Sequence, residues 1–227
     1  MKHFLFYIVL IFCGINSQAQ INELGVFVGG TNYIGDIGPT DYIAPNEPSI
    51  GILYKWNRSP RHSYRFSYTQ GKLTARDIDS DVPSRYLRGN SFENSVKEFS
   101  AGLEFSFMDF DLHDGDPKFS PYVYSGLSYF IYDEIYILDN NSREDYQSST
   151  FAIPMVLGLK ARLFQNFIIG AEVGFRYTFT DNLDGSNPKN DNFETLRFGN
   201  LNSNDWYVFT GLTLTYTFGK NPCFCAE

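Results

Sequence analysis

Cysteine, histidine and uninterrupted apolar stretches are all scarce in these 227 residues, and each shortage removes a class of protein. Of three cysteines, Cys13 lies in the first apolar run, while Cys223 and Cys225 stand at the extreme C-terminus. No disulfide framework can be built from that set. Among the histidines, His62 and His113 have no cysteine, histidine or carboxylate neighbours at zinc spacing. The acids Asp109, Asp111, Asp114 and Asp116 surround His113 but lack the ordered ligand pattern of a calcium loop, so they read as a solvated turn. No metal or cofactor is expected. Positive charge is short as well, with 18 Lys and Arg against 26 Asp and Glu. That balance argues against nucleic acid, which rewards clustered cations. Beyond residue 20 no apolar run reaches the roughly 20 residues of a spanning helix. A helical membrane protein is thereby excluded. A β-barrel is untouched, because its strands turn only every second residue to lipid.

What is present begins with a leader. Lys2 and His3 precede an apolar run from Phe4 to Ile15, and Ser17-Gln18-Ala19 supplies the small residues of a cleavage site. The expectation is a signal peptide over 1–19 cut before Gln20, a barrel over 20–218 and a tail over 219–227. Cys13 does not suit a lipid anchor, since Phe12 is bulky and both lie inside the run. Loss of Lys2 takes the formal charge one unit further negative than −8.

Period-two alternation dominates the remainder. Trp206, Val208, Thr210, Leu212, Leu214, Tyr216 and Phe218 share one parity, and Tyr207, Phe209, Gly211, Thr213, Thr215 and Thr217 the other. Such a run exceeds the usual five or six residues of a sandwich strand and suits the roughly 9–11 of a tilted membrane strand. The same grammar marks Tyr64–Thr69, Phe99–Phe107, Phe151–Leu163 and Ile169–Tyr177. It is weaker at Leu24–Tyr33, Ser49–Trp56 and Tyr122–Phe130. The total predicts an all-β, eight-stranded antiparallel transmembrane barrel with up-and-down order. Short turns at 57–62, 108–118 and 164–166 alternate with long loops at 34–48, 75–96, 131–149 and 179–204. In outer-membrane barrels the short turns are periplasmic, which places both termini there.

The inward parity carries Lys55, Arg65, Lys160, Arg162 and Arg176 with Glu104 and Glu172. A small barrel fills its interior with side chains, and buried charges need partners. A lumen plug built from Arg65, Glu104, Glu172 and Arg176 is therefore expected, without ion conductance. Outward, Tyr54, Trp56, Tyr64, Tyr216 and Phe218 suit the headgroup boundary. An enzyme would need a nucleophile or activated water with a base on the loop side. Asp133, Glu134, Asp139, Glu144 and Asp145 crowd the third long loop, but no histidine is expected there, so a non-enzymatic role is anticipated. In the tail, cysteines one residue apart pair poorly with each other. In an oxidising periplasm, Cys223 or Cys225 is a candidate for bonding a partner, with an inert or internally oxidised pair as the alternative.

The stretch Gly29-Gly30-Thr31-Asn32-Tyr33-Ile34-Gly35-Asp36-Ile37-Gly38-Pro39 and the later Tyr54-Lys55-Trp56-Asn57-Arg58-Ser59-Pro60-Arg61 resemble the PorG family. So do Phe107–His113, Pro121-Tyr122-Val123-Tyr124 and the Pro-Cys-x-Cys ending. The resemblance implies a non-enzymatic outer-membrane component of the type IX secretion system, which exports cargo and serves gliding motility in some species. It also implies contact with a periplasmic ring of the PorK lipoprotein and PorN. The matched residues on the expected periplasmic side are Asn57, Arg58, Arg61, His62, Asp111, His113, Cys223 and Cys225. The competing expectations are an OmpA-like structural or adhesive barrel acting through its outer loops, and a small-pore transporter.

Overall fold

Alternation of large apolar and small or polar residues commits each segment to a strand with two unlike faces, and a sheet of such strands escapes unpaired edges by closing. In the computed structural model, which describes residues 21–112, 118–164, 166–200 and 202–219, it closes completely. The strands are β1 (Ile21–Ile34), β2 (Glu47–Asn57), β3 (His62–Arg76), β4 (Ser91–Ser106), β5 (Phe119–Leu138), β6 (Asn141–Phe164), β7 (Phe167–Thr178) and β8 (Trp206–Phe218). Each pairs antiparallel with its sequence neighbours, and β8 closes on β1 from Asn22↔Phe218 to Ile34↔Trp206. The start of β1, the end of β8 and the short connections after β2, β4 and β6 share one rim, called lower here. The long connections share the upper rim.

At two seams glycines face each other. Gly29 faces Gly211 across β1/β8, and Gly102 faces Gly126 across β4/β5, halfway round the ring. A Cβ on Gly102 would overlap the carbonyl of Ser125, and one on Gly126 that of Ala101. Glycine is required where two backbones approach this closely.

The upper connections are more ordered than loops. The 131–149 connection, expected as a long loop, is instead a continuation of β5 and β6 into a tall hairpin, turning at Asp139 and Asn140 with positive φ at both. Between β3 and β4, the loop expected over 75–96 is shorter, because β4 begins at Ser91. It holds a 3-10 turn (Asp77–Asp79) and helix α1 (Pro83–Arg88), which opens on a proline and ends at Gly89 in the left-handed region. That is the usual asymmetry of helix ends. The β7–β8 connection crosses the upper mouth and carries a 3-10 turn at Asp191–Leu196. Ile37, Leu73, Phe92, Ile135, Ile137 and Leu183 are buried together beneath these segments, giving the cap its own apolar core.

Candidate functional site

The lumen is layered from the lower rim upward. At the floor, Glu23 accepts hydrogen bonds from Asn57 Nδ2 (2.9 Å) and Thr215 Oγ1 (2.8 Å). After β4, residues 107–112 tuck beneath the barrel and insert Phe110, whose ring lies 5.0 Å from Lys160 Nζ. Phe110 N donates to Pro60 O, and Arg162 donates to Asp111 O at 3.0 Å, so this stopper is tied to the β2–β3 turn and to the lower end of β6.

Above it sits the main ion cluster. Glu104 receives Lys55 Nζ at 2.7 Å and Lys160 Nζ at 2.8 Å, with Arg65 Nη1 at 3.8 Å. Arg65 forks onto both oxygens of Glu172 at 2.7 and 2.8 Å, and Tyr122 donates to the same carboxylate at 2.5 Å. These residues come from β2, β3, β4, β5, β6 and β7, so the cluster ties opposite walls together. Bidentate geometry and low exposure make the contacts strong, and each charge faces an opposite one, which offsets part of the cost of burying them. Room for Tyr122 comes from Gly158, where a Cβ would overlap its ring.

Arg176 does not join Glu104 and Glu172 in a direct ion pair, as expected from the sequence. Its guanidinium reaches Glu98 at 3.1 Å, one layer higher, where Tyr207 also donates at 2.6 Å. Parity accounts for the difference: β4 begins at Ser91, well before the alternation evident from Phe99, and Glu98 continues the inward series Ser100, Gly102, Glu104. Gly174 makes the space, since a Cβ there would collide with Arg176 Nη1. Between the layers, Tyr124 shares a hydrogen bond with Ser100 at 2.5 Å, and Arg65 stacks over its ring. Arg162, assigned inward with the others, is only half-buried at the lower mouth.

The upper end is also shut. Glu134, expected in a loop, is buried on β5 and paired with Lys189 Nζ at 2.7 Å. The cap holds an acidic knot. Asp184 Oδ2 accepts the amides of Asp36 and Ile37, Asp205 Oδ2 accepts that of Leu183, and Tyr33 donates to Asp205 Oδ1. Asp77 accepts Gly38 N at 3.0 Å and a fork from Arg88, pinning the β1–β2 loop from its other side. Burial and mutual repulsion raise the carboxyls of Asp205 and Asp184, and the same causes push Asp181 up to about 6.

Outside, the barrel is greasy. Leu24, Val26, Ile52, Leu103, Leu127, Leu157, Leu159 and Leu212 are all exposed. Rings bound this band. Trp56–Tyr64 (5.4 Å), Tyr54–Phe66 (6.3 Å) and Phe167–Tyr216 (5.3 Å) stand toward the lower rim. Tyr129–Phe151 (5.4 Å) and Tyr177–Trp206 (5.1 Å) stand toward the upper. From Trp206 to Tyr216, at about 3.3 Å per residue and a tilt near 45°, the belts stand about 23 Å apart.

Several of the residues singled out for partner contact are engaged within the barrel itself. Arg61 pairs with Asp109 at 2.5 Å, and its guanidinium holds that carboxyl below the usual range. His62 packs on Phe105 and shares a hydrogen bond with Ser59, while Arg58 lies over Trp56. Asn57 turns toward Glu23 and the lumen rather than away from the barrel. Asp111 is half-buried beside the stopper. His113, Cys223 and Cys225 lie outside the described residues, as does the leader. Among the described residues no group of three or more His, Cys, Asp and Glu is arranged to hold a metal ion.

A family model described as "Domain of unknown function (DUF6089)" matches residues 2–227. No curated protein matches the chain. Among solved structures, the chain is similar to Ail, the attachment invasion locus protein of Yersinia pestis, in complex with the heparin analogue sucrose octasulfate. Identity is 12%, with 88% of this chain and 99% of that one covered and a TM-score of 0.47. It is similar also to the N-terminal β-barrel domain of Pseudomonas aeruginosa OprF (14% identity, 88% and 100% covered, TM-score 0.46). A third is a major outer membrane protein of Thermus thermophilus (12%, 89% and 100%, 0.43). The barrel assignment rests on the strand register, not on these likenesses.

Proposed function

The chain belongs to the DUF6089 family, and we propose that it is a non-enzymatic outer-membrane barrel serving protein export of the type IX kind. The observation that carries the membrane reading is the exposed aliphatic band between two aromatic belts, about as tall as the roughly 25 Å apolar zone of outer-membrane barrels. In water such a surface would drive aggregation. The closed lumen favours a scaffold over a pore, because paired charges fill it and Phe110 and the cap close its ends.

The secretion role draws its support from the PorG resemblance, which spans the mature chain. On this reading the lower rim faces the periplasm and meets the ring of PorK and PorN. Arg58, Arg61 and His62 are the described contact candidates, and Cys223 or Cys225 would form an intermolecular disulfide. Deletion of the gene should abolish surface delivery of cargo, and the barrel should co-purify with the ring. Normal secretion in the deletion strain would sink the proposal.

A second reading, an OmpA-like surface barrel acting through its outer loops, is favoured by the apolar side chains displayed on the cap. Tyr42, Ile43, Ile78, Tyr86 and Leu87 are all exposed there. Normal secretion together with lost surface attachment would select it.

A further inference from the structure

The barrel wall is uneven at its upper rim. β7 leaves it at Thr178, and Phe179 N makes the last backbone bond to β6, at Phe151 O (3.1 Å). The chain then turns in over the mouth, where Thr180, Asn182 and Leu183 are buried. β6 carries on above that point, so Asn141–Thr150 has β5 along one side and no sheet partner along the other, among the described residues, save a bridge at Asn141.

The direction of the open groups follows from one bond. In an extended antiparallel strand the N–H and C=O of a residue point to the same side, and the side alternates along the chain. Phe151 O points toward the β7 side, so the N–H and C=O of Ser149 and Gln147 point that way too. Both side chains are exposed, and neither is charged. Higher up, the ladder slips between Glu134 and Ile135, and Arg143, Glu144 and Asp145 follow. A bulge and charges are the devices by which proteins block edge pairing. The edge is guarded above Tyr146 and unguarded from Gln147 to Ser149.

We propose that this notch takes an extended segment of another polypeptide, which adds to β6 as a short strand where β7 stops. Main-chain bonds to Gln147 and Ser149 supply the affinity, the mode known as β-augmentation. The surroundings choose the sequence. Glu144, Asp145, Asp191 and Glu194 lie on the two segments bordering the notch. Of the cations there, Arg197 is committed to Glu194 and to Pro188 O and Lys189 to Glu134. That leaves Arg143 against four acids, one of which (Asp145) also accepts from Asn190. A strand with Lys or Arg at its ends and small β-formers between them fits. The inference needs only the barrel and holds whether or not the secretion role does.

The test uses the full mature chain refolded in detergent micelles. The probe is a fluorescein-labelled seven-residue peptide alternating threonine and valine between terminal lysines. Saturable binding by anisotropy is expected, with the amides of Gln147 and Ser149 exchanging fast in the free protein and slowly with peptide bound. Gln147→Pro and Ser149→Pro remove outward N–H groups without touching the β5 ladder, and each should weaken binding at least tenfold. Faster gel migration before boiling confirms that each variant keeps its barrel. Absence of saturable binding, equal binding to the proline variants, or slow exchange at both amides in the free protein would overturn the proposal. The last outcome would mean that the chain's own 179–190 segment covers the edge.

Discussion

Among the described residues Glu104 answers for more charge than any other side chain, since Lys55, Lys160 and Arg65 all converge on it. Glu104→Gln keeps the shape and removes the charge, leaving ammonium groups buried without a counter-ion. Breaking a buried ion pair from one side costs about 3–5 kcal/mol. The variant should unfold at clearly lower denaturant in micelles, whereas Arg61→Ala, which breaks an exposed and solvent-screened pair at the lower rim, should leave the midpoint almost unchanged. The acidic knot in the cap gives a second residue-scale expectation. Asp181, Asp184 and Asp205 have carboxyls raised in the folded cap, so folding favours their protonated forms. Their contribution is fully present below the ordinary aspartate range and is lost as pH rises through the folded values, near 6 for Asp181. Hydrogen exchange over 179–205 should therefore be slower at pH 5 than at pH 8 once corrected for intrinsic rates. The reverse order would contradict the assigned shifts.

The tall hairpin tests how turn chemistry shapes an element. Asp139 and Asn140 take φ of 52° and 64°, the left-handed pair that a two-residue hairpin turn demands. A residue other than glycine pays roughly 1–2 kcal/mol there. Asp139→Gly should slow amide exchange through the hairpin about fivefold, the equivalent of about 1 kcal/mol, and Asp139→Val should quicken it. The same turn explains what the sequence hid. Strands inside the lipid-facing band were legible because lipid on one face and a packed lumen on the other enforce strict alternation. Above the band that constraint ends. Asp133, Glu134, Glu144 and Asp145 then look like loop residues, although Glu134 is buried and the backbone stays extended. The lumen was legible as a set of charges but not as a set of pairs. Inward parity found Arg65, Glu104, Glu172 and Arg176, while the Arg176–Glu98 contact depends on strand stagger, which a one-dimensional pattern does not contain. Phe110 was hidden for a related reason, as it reaches the lumen from a turn that folds back under the barrel.

At the scale of the molecule, a greasy exterior and a filled interior make paired demands. The protein should need detergent to stay dispersed and should migrate faster unboiled than boiled. In planar bilayers it should give no steady ohmic current, and a stable open level of porin size would contradict the packing of Phe110, Tyr122 and the cap. The cross-lumen ties carry one more consequence. Arg65 on β3 meets Glu172 on β7, Lys55 on β2 and Lys160 on β6 meet on Glu104 of β4, and Thr215 on β8 reaches Glu23 on β1. None of these struts can form between strands that are adjacent in the growing sheet. A half-inserted ribbon would lack the Arg65–Glu172 and Thr215–Glu23 contacts, and only the finished ring completes them. Assembly should thus proceed as an all-or-nothing event in which the last seam to zip, β1 against β8, locks every layer of the interior together.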